Sequence, residues 1–302
     1  MLQFKPSIPF WGLFVLIYAC NPNDNDQSDA DTYPNNDLMA DAQWLQENIH
    51  RDDLRVVDMR AEGFENGHIP GSVSIKGAGA LVDGDHNVDN YLIPPELFER
   101  IMGEYGISND RTVIIYDDGN SLQASRLFYA LELYGHQDVR ILNGGFSAWK
   151  DQEGEISTTR TYVNPAMFHS EAREGLICDI AYVQGNIGND DVVFYDARSL
   201  DEFEGKDVRA NKGGSIPGAV HLEWSESIQA EGVPYFKKAA ELQNMLNEKG
   251  ITPDKEIIPY CQSNVRGAHV YFVLRLMGYD NVRPYEGSWS EYGNAEGAII
   301  KN

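Results

Sequence analysis

The sequence predicts an α/β protein of two tandem domains, each a mainly parallel β-sheet flanked by helices on both faces. Short apolar runs rich in β-branched residues alternate with segments of helical periodicity, the pattern of parallel strands joined by crossover helices. The chain's 302 residues, with 42% hydrophobic and 11% aromatic content, are enough for two cores of ordinary size. One block also occurs twice. TVIIYDDGNSLQASRLFYALELYGHQDVRILNGGFSAW is answered by EIIPYCQSNVRGAHVYFVLRLMGYDNVRPYEGSWSEYG, with strand, loop, helix, Gly, strand, Gly and aromatic in the same order. An earlier pair agrees, VVDMRAEGFENGHIPGSV with VFYDARSLDEFEGKDVRANKGGSIPGAV.

In chain order, Lys5 precedes an apolar run from Ile8 to Ala19 that is too short to span a membrane but long enough for the core of an export signal. It ends Ile17-Tyr18-Ala19-Cys20, which resembles a bacterial lipobox and makes Cys20 the expected lipidation site. The following NPNDNDQSDADTYPNND is polar and acidic and reads as a disordered linker over 20–40. The expectation is an exported protein, lipid-anchored through Cys20 to the bacterial cell envelope on its periplasmic or outer-membrane face, with no helix crossing the bilayer.

The first domain is expected over 41–153. AQWLQENI reads as a short helix, LRVVDMR as a buried strand and GSVSI as a second strand. PPELFERIMGEYG is a helix with Pro at its start and Gly just past its end. TVIIYDD, LQASRLFYALELYG, VRILNGG and FSAWKDQ complete the unit. Residues 154–177 lack apolar periodicity and read as a connection wrapping over the first domain. The second domain, 178–302, repeats the order through DIAYVQGNI, VVFYDAR, GAVHLEW, KKAAELQNMLNEKG, EIIPYC, a long helix and VRPYEGS.

Lys plus Arg number 24 against 47 Asp plus Glu, a formal charge of −23. Nucleic acid is therefore a poor partner, because phosphate binding rests on clustered cations. An anionic substrate would meet long-range repulsion, so local arginines would have to build a positive pocket. The seven histidines form no clustered pairs and no C-x-x-C occurs, so no metal site is expected, and no cofactor either.

The most chemically suggestive position is Cys261, at the seam between the apolar strand EIIPY and the helix that follows. CQSNVR must turn sharply there, so the N–H groups of Gln262, Ser263, Asn264 and Val265 can point at the sulfur with the helix dipole behind them. Together with Arg266 this favours a thiolate open to a small anion. A small buried core residue is the alternative reading. The other downstream cysteine, Cys178, begins a different helix.

The D-x-R segments (Asp58 to Arg60, Asp196 to Arg198), the IPG turns (Ile69 to Gly71, Ile216 to Gly218), CQSNVR and the closing EGSWSEYGN together resemble the tandem-domain rhodanese family of thiosulfate and 3-mercaptopyruvate sulfurtransferases. The resemblance runs from about Asp41 to Asn294. It implies two rhodanese-like domains, the second catalytic and the first without its cysteine, since Asp117 or Asp118 stands at that position. It also implies a persulfide carried on Cys261, with Arg266 pairing with the donor. The D-x-R arginine, here Arg198, and a second arginine before the IPG turn would help bind the donor. Arg209 is the candidate for the second, with Lys206 or Lys212 as alternatives. Asp58, Arg60 and Asp118 are expected to help wall the pocket.

The implied partners are a small anionic sulfur donor and a thiophilic acceptor such as cyanide or a thiol. Related cysteine phosphatases carry C-x5-R, whereas Cys261 to Arg266 is C-x4-R, a smaller cradle that suits sulfur. CQSNVR leans towards thiosulfate while sharing Ser263 with the mercaptopyruvate pattern CGSGVT. A 3-mercaptopyruvate sulfurtransferase and a noncatalytic binding module are the other readings.

Overall fold

The computed structural model describes residues 1–3 and 32–301. The apolar run from Ile8 to Ala19, Cys20 and the beginning of the acidic linker lie outside the described residues. The linker stops short of the expected position 40. Met39–Ala40 forms strand β1, whose residues pair in parallel with Ile141 and Leu142. Just before it, the Tyr33 hydroxyl donates to the Lys237 carbonyl at 2.7 Å. The Asn35 backbone N–H donates to the Leu276 carbonyl (3.0 Å) and its side chain to the Arg275 carbonyl (2.6 Å). Those carbonyls lie in the last turn of a helix, where carbonyls outnumber helical donors, so a polar segment can dock there despite its composition.

Strands β2 (Leu54–Asp58), β3 (Val73–Ser74), β4 (Thr112–Tyr116) and β5 (Val139–Leu142) join β1 in a parallel sheet of order β1-β5-β4-β2-β3. Every residue of central β4 is buried, as a strand covered on both faces requires. Asp41 caps α1 (Ala42–Asn48) by accepting from the Trp44 N–H at 2.6 Å. Helices α2 (Pro95–Glu104), α3 (Leu122–Leu133) and α4 (Gly145–Asp151) follow.

The second domain contains α5 (Ile180–Gly185), β6 (Val192–Asp196), α6 (Leu200–Phe203), β7 (Val220–His221), α7 (Ala239–Glu248), β8 (Glu256–Tyr260), α8 (Val265–Leu276) and α9 (Ser288–Tyr292). Its parallel sheet has the order β7-β6-β8. VRPYEGS, expected to form a further strand, contributes only a bridge between Val282 and Ile257. The Arg283 and Tyr285 N–H groups do reach the Ile257 and Pro259 carbonyls, at 2.9 and 3.0 Å. Pro259 has no N–H to return, so the ladder cannot continue as it does between β4 and β5.

Helices α3 and α8 are buried nearly all round because they pack against each other as well as against their own sheets. The Phe128 and Phe272 rings meet edge to face at 4.9 Å, the Tyr129 and Tyr271 rings at 5.4 Å, and the Tyr271 hydroxyl donates to Glu132 at 2.6 Å. One continuous core therefore spans both domains. The connection straps over the first domain: Ser157 bridges His68, the Ala166 N–H donates to Gly103, and buried Phe168 packs on Phe98. This duplicated, face-to-face packing brings the N-terminal ends of α3 and α8, and the loops preceding them, close to the domain boundary.

Candidate active site

Cys261 follows β8 directly, and α8 begins four residues later at Val265. Between them Asn264 adopts φ +55°, a left-handed conformation uncommon for residues other than Gly and best tolerated by Asn. That single residue folds the loop back on itself. Two contacts fix its base: the Cys261 N–H donates to Ser288 Oγ (3.2 Å), and the Trp289 N–H donates to the Cys261 carbonyl (2.9 Å). Among the described residues, no backbone or side-chain oxygen accepts from the N–H groups of Gln262 to Gly267.

The first domain shows what such a loop does. Phe146 N–H donates to the Asp117 carbonyl as Trp289 does to Cys261, and Ser147 to Asp118 as Ser290 does to Gln262, so Asp117 stands in the place of the cysteine. Its carboxylate accepts from the N–H groups of Gly119 (2.9 Å), Ser121 (3.0 Å), Gln123 (2.9 Å) and Ala124 (3.2 Å). Ser121, at φ +60°, is the counterpart of Asn264. Burial pushes the Asp117 carboxyl above its ordinary range and the four N–H groups work against that rise. The first loop is therefore a cradle for negative charge already filled by its own side chain. The second loop, one residue shorter, turns through a left-handed residue at the same place before its helix and begins with Cys261 where the first begins with Asp117.

Arg266 lies beside Cys261. Its guanidinium donates to Glu202 Oε2 at 2.6 Å and Oε1 at 2.9 Å. Burial works against its charge, but the Glu202 carboxylate, with a smaller contribution from the nearby Cys261 sulfur, more than offsets this and holds Arg266 above its usual value. Glu202 is 1% exposed. Burial alone would raise its carboxyl, yet Arg266 and Ser199 together hold it down at about 2. Arg209, half exposed, places Nη1 3.5 Å from Glu202 Oε1 while pairing with Asp207 at 2.6 Å. Its carbonyl accepts from Gln262 Nε2 at 3.2 Å, so it belongs to the same neighbourhood. The structure thus gathers Cys261, Gln262, Ser263, Asn264, Val265, Arg266 and Arg209 around one loop.

Cys261 is not open, as the sequence led one to expect. It is 1% exposed at the base of the loop, and the nearby Arg266 guanidinium is held by Glu202. Arg198 is a second correction. It is 1% exposed and donates to Asp196 (2.9 and 2.6 Å) and the Gly214 carbonyl (2.7 Å), with its guanidinium 4.3 Å from the Trp289 ring. Arg60 repeats this on Asp58, Gly67 and Phe146, so the D-x-R motif is a structural clasp in both domains. A buried bidentate pair of this kind has little freedom to release its arginine to a substrate. Asp58 and Arg60 are likewise buried within their own domain's clasp. Lys212 is tied to the carbonyls of Ala295 and Ala298, and Lys206 pairs with Glu204 on the surface.

Cys178 is free, as is Cys261. Burial pushes the Cys178 thiol up to about 12, which favours its protonated form at neutral pH. A cavity of about 470 Å³ opens in the first domain beside His68, Lys76 and Arg160, and none of its lining residues belongs to the cysteine loop.

Reading the sequence missed Glu202 and Glu286. The signal for the first was present: Ser199-x-x-Glu202 is a capping box, which the structure forms, and it locates a carboxylate one strand away from the cysteine loop. Glu286 lies inside the quoted EGSWSEYGN but reveals nothing alone. It accepts from Asn264 Nδ2 at 2.7 Å, a contact set by tertiary packing.

Residues 41–152 and again 179–295 match the family described as Rhodanese-like domain. The thiosulfate sulfurtransferase of Corynebacterium glutamicum is 33% identical over 276 residues, covering 87% of this chain and 89% of its own. Sulfur carrier protein TtuD of Thermus thermophilus is 31% identical over 283 residues, covering 89% of this chain and 98% of its own. Among solved structures, the 3-mercaptopyruvate sulfurtransferase SseA of Escherichia coli superposes with a TM-score of 0.75 at 29% identity, covering 84% of this chain and 99% of that one. With a duplicated parallel α/β unit, a cysteine cradle in the second copy and matches over nearly the whole described chain, this protein belongs to the rhodanese family of sulfurtransferases.

Proposed function

We propose that the protein takes its sulfur from thiosulfate and carries it as a persulfide on Cys261. The Cys261 thiolate attacks the outer sulfur of thiosulfate, the S–S bond of the donor breaks, and sulfite leaves with the electron pair. Cys–S–S⁻ remains. A thiol or cyanide then attacks the terminal sulfur and returns the thiolate. No proton need be consumed at the cysteine, because loop N–H groups receive the negative charge in both states.

The observation that carries this reading is the convergence of Cys261, the amide loop, Arg266 and Arg209. Glu202 occupies Arg266 in the resting arrangement, and the donor's sulfonate oxygens exchange for it. The arginine that closes CQSNVR, where the mercaptopyruvate pattern CGSGVT has threonine, and the names of several relatives, thiosulfate sulfurtransferase among them, support thiosulfate. The likeness to the Escherichia coli mercaptopyruvate enzyme supports the other donor. Initial rates decide: kcat/KM with thiosulfate should exceed that with mercaptopyruvate by at least about tenfold, a difference of some 1.4 kcal/mol in transition-state binding. The opposite order assigns the protein to mercaptopyruvate, and no transfer from either donor leaves only a binding module.

We also propose export and lipid anchoring at Cys20, on the strength of the apolar run ending at Ala19 and the polar stretch after it. Cells fed a labelled fatty acid should label the protein, and Cys20→Ala should remove the label. An unlabelled protein in the cytoplasmic fraction would contradict anchoring.

A further inference from the structure

The first domain carries Asp117 where the second carries Cys261, yet it supplies a buried charge to the second domain's loop. Arg126, on α3, is 1% exposed, and Glu286, which precedes α9, is 7% exposed. Arg126 grips the carboxylate with both arms, Nη1 to Oε2 at 2.9 Å and Nη2 to Oε1 at 2.5 Å. The Leu92 N–H of the first domain donates to Oε1 at 2.9 Å, and Asn264 Nδ2 donates to Oε2 at 2.7 Å. Three of these four bonds come from the first domain. The fourth holds the left-handed residue on which the turn of the cysteine loop depends.

The duplication supplies an internal comparison. Asn143 precedes Gly144-Gly145-Phe146 as Glu286 precedes Gly287-Ser288-Trp289. Its Oδ1 accepts from the Phe236 N–H of the opposite domain at 3.0 Å, just as Glu286 accepts from Leu92. His269 stands five residues after Asn264 as Arg126 stands five after Ser121. Burial pushes His269 down to about 3, which keeps it neutral. Across the pseudo-two-fold, then, the side serving the filled Asp117 cradle has a neutral amide and a neutral imidazole. The side serving Cys261 has an ion pair.

We propose that Arg126 is a positioning residue for Cys261, acting through Glu286 and Asn264, so that the inactive domain sets the shape of the active loop. A bidentate buried ion pair holds its geometry more tightly than a neutral hydrogen bond, and Asn264 inherits that order. The proposal rests on Cys261 being the reactive thiol, and its test does not require sulfur transfer.

The test measures alkylation of Cys261 by iodoacetamide against pH in the full-length protein, in a Cys178→Ala background. Asn264→Gly keeps the left-handed turn and removes only the side-chain bond. It should slow alkylation at neutral pH by about tenfold and move the pH midpoint upward. Arg126→Gln should do the same, and the double variant should react no more slowly than the slower single variant, since both break one chain of contacts. If Arg126→Gln does not fold, Asn264→Gly and Arg126→Lys, which keeps the charge but loses the two-armed grip, carry the same comparison. Losses that multiply independently would overturn the proposal. So would an Asn264→Gly profile within about twofold of the unaltered protein, a difference too small to report a coupling. Sulfur uptake from thiosulfate is measured separately on the unaltered protein. Its absence would remove the proposed function and leave the alkylation result standing.

Discussion

The Cys261→Ser variant transfers sulfur at least about a thousandfold more slowly than the unaltered protein and retains no sulfur after exposure to thiosulfate. A serine hydroxyl is a poor nucleophile without an adjacent base, and the carboxylates around the loop, Asp196, Glu202 and Glu286, are already committed to Arg198, Arg266 and Arg126. The fold should survive, because Cys261 is fixed through its backbone N–H and carbonyl to Ser288 and Trp289. Equal thermal stability with lost transfer would therefore separate chemistry from structure. Cys178→Ser is the control. Its thiol, pushed up to about 12 by burial, takes no part, so transfer should remain within about twofold of the unaltered rate.

The second large effect comes from a single methyl group. A Cβ added at Gly267 would overlap Asn264 Oδ1 and stand 3.6 Å from the Tyr260 Cα. Asn264 cannot step aside cheaply, because it is fully buried, holds Glu286 through Nδ2 and sits in a left-handed conformation. Gly267→Ala must therefore twist the loop. The expected cost is about 1–3 kcal/mol of stability from overpacking and a loss of about a hundredfold in turnover from displaced amides. Chemical denaturation and steady-state rates measure the two. If Gly267→Ala turns over at the unaltered rate, loop shape does not govern reactivity. The equivalent first-domain position is occupied by Ala124, whose N–H donates to Asp117 at 3.2 Å. A methyl fits there because Ser121, with a shorter side chain, takes the place of Asn264.

Much of this was legible in the sequence because duplication exposes it. Aligning the halves locates both sheets, the long helices and the position where Asp117 replaces a cysteine, and β8 and α8 fall where apolar period and turn chemistry place them. Local pattern fails where a distant partner decides. Met39–Ala40 is too short and too polar in context to read as a strand, yet the free edge of β5 recruits it. Pro259 reads as part of a strand, but its missing N–H stops the next ladder. The cysteine loop was identifiable from its spacing, whereas its electrostatics were not. Arg198 looks like a ligand for anions until Asp196 and Trp289 are seen enclosing it. Glu202 and Glu286 are far in sequence from Cys261 and Arg126, so no window of residues joins them.

The most direct test is where the sulfur goes. Full-length protein mixed with thiosulfate, quenched with an alkylating agent and digested, should show one added sulfur atom on the peptide containing Cys261, and none there after brief treatment with cyanide. Sulfur found on the Cys178 peptide instead, or on neither, would contradict a persulfide held in the second domain's amide cradle.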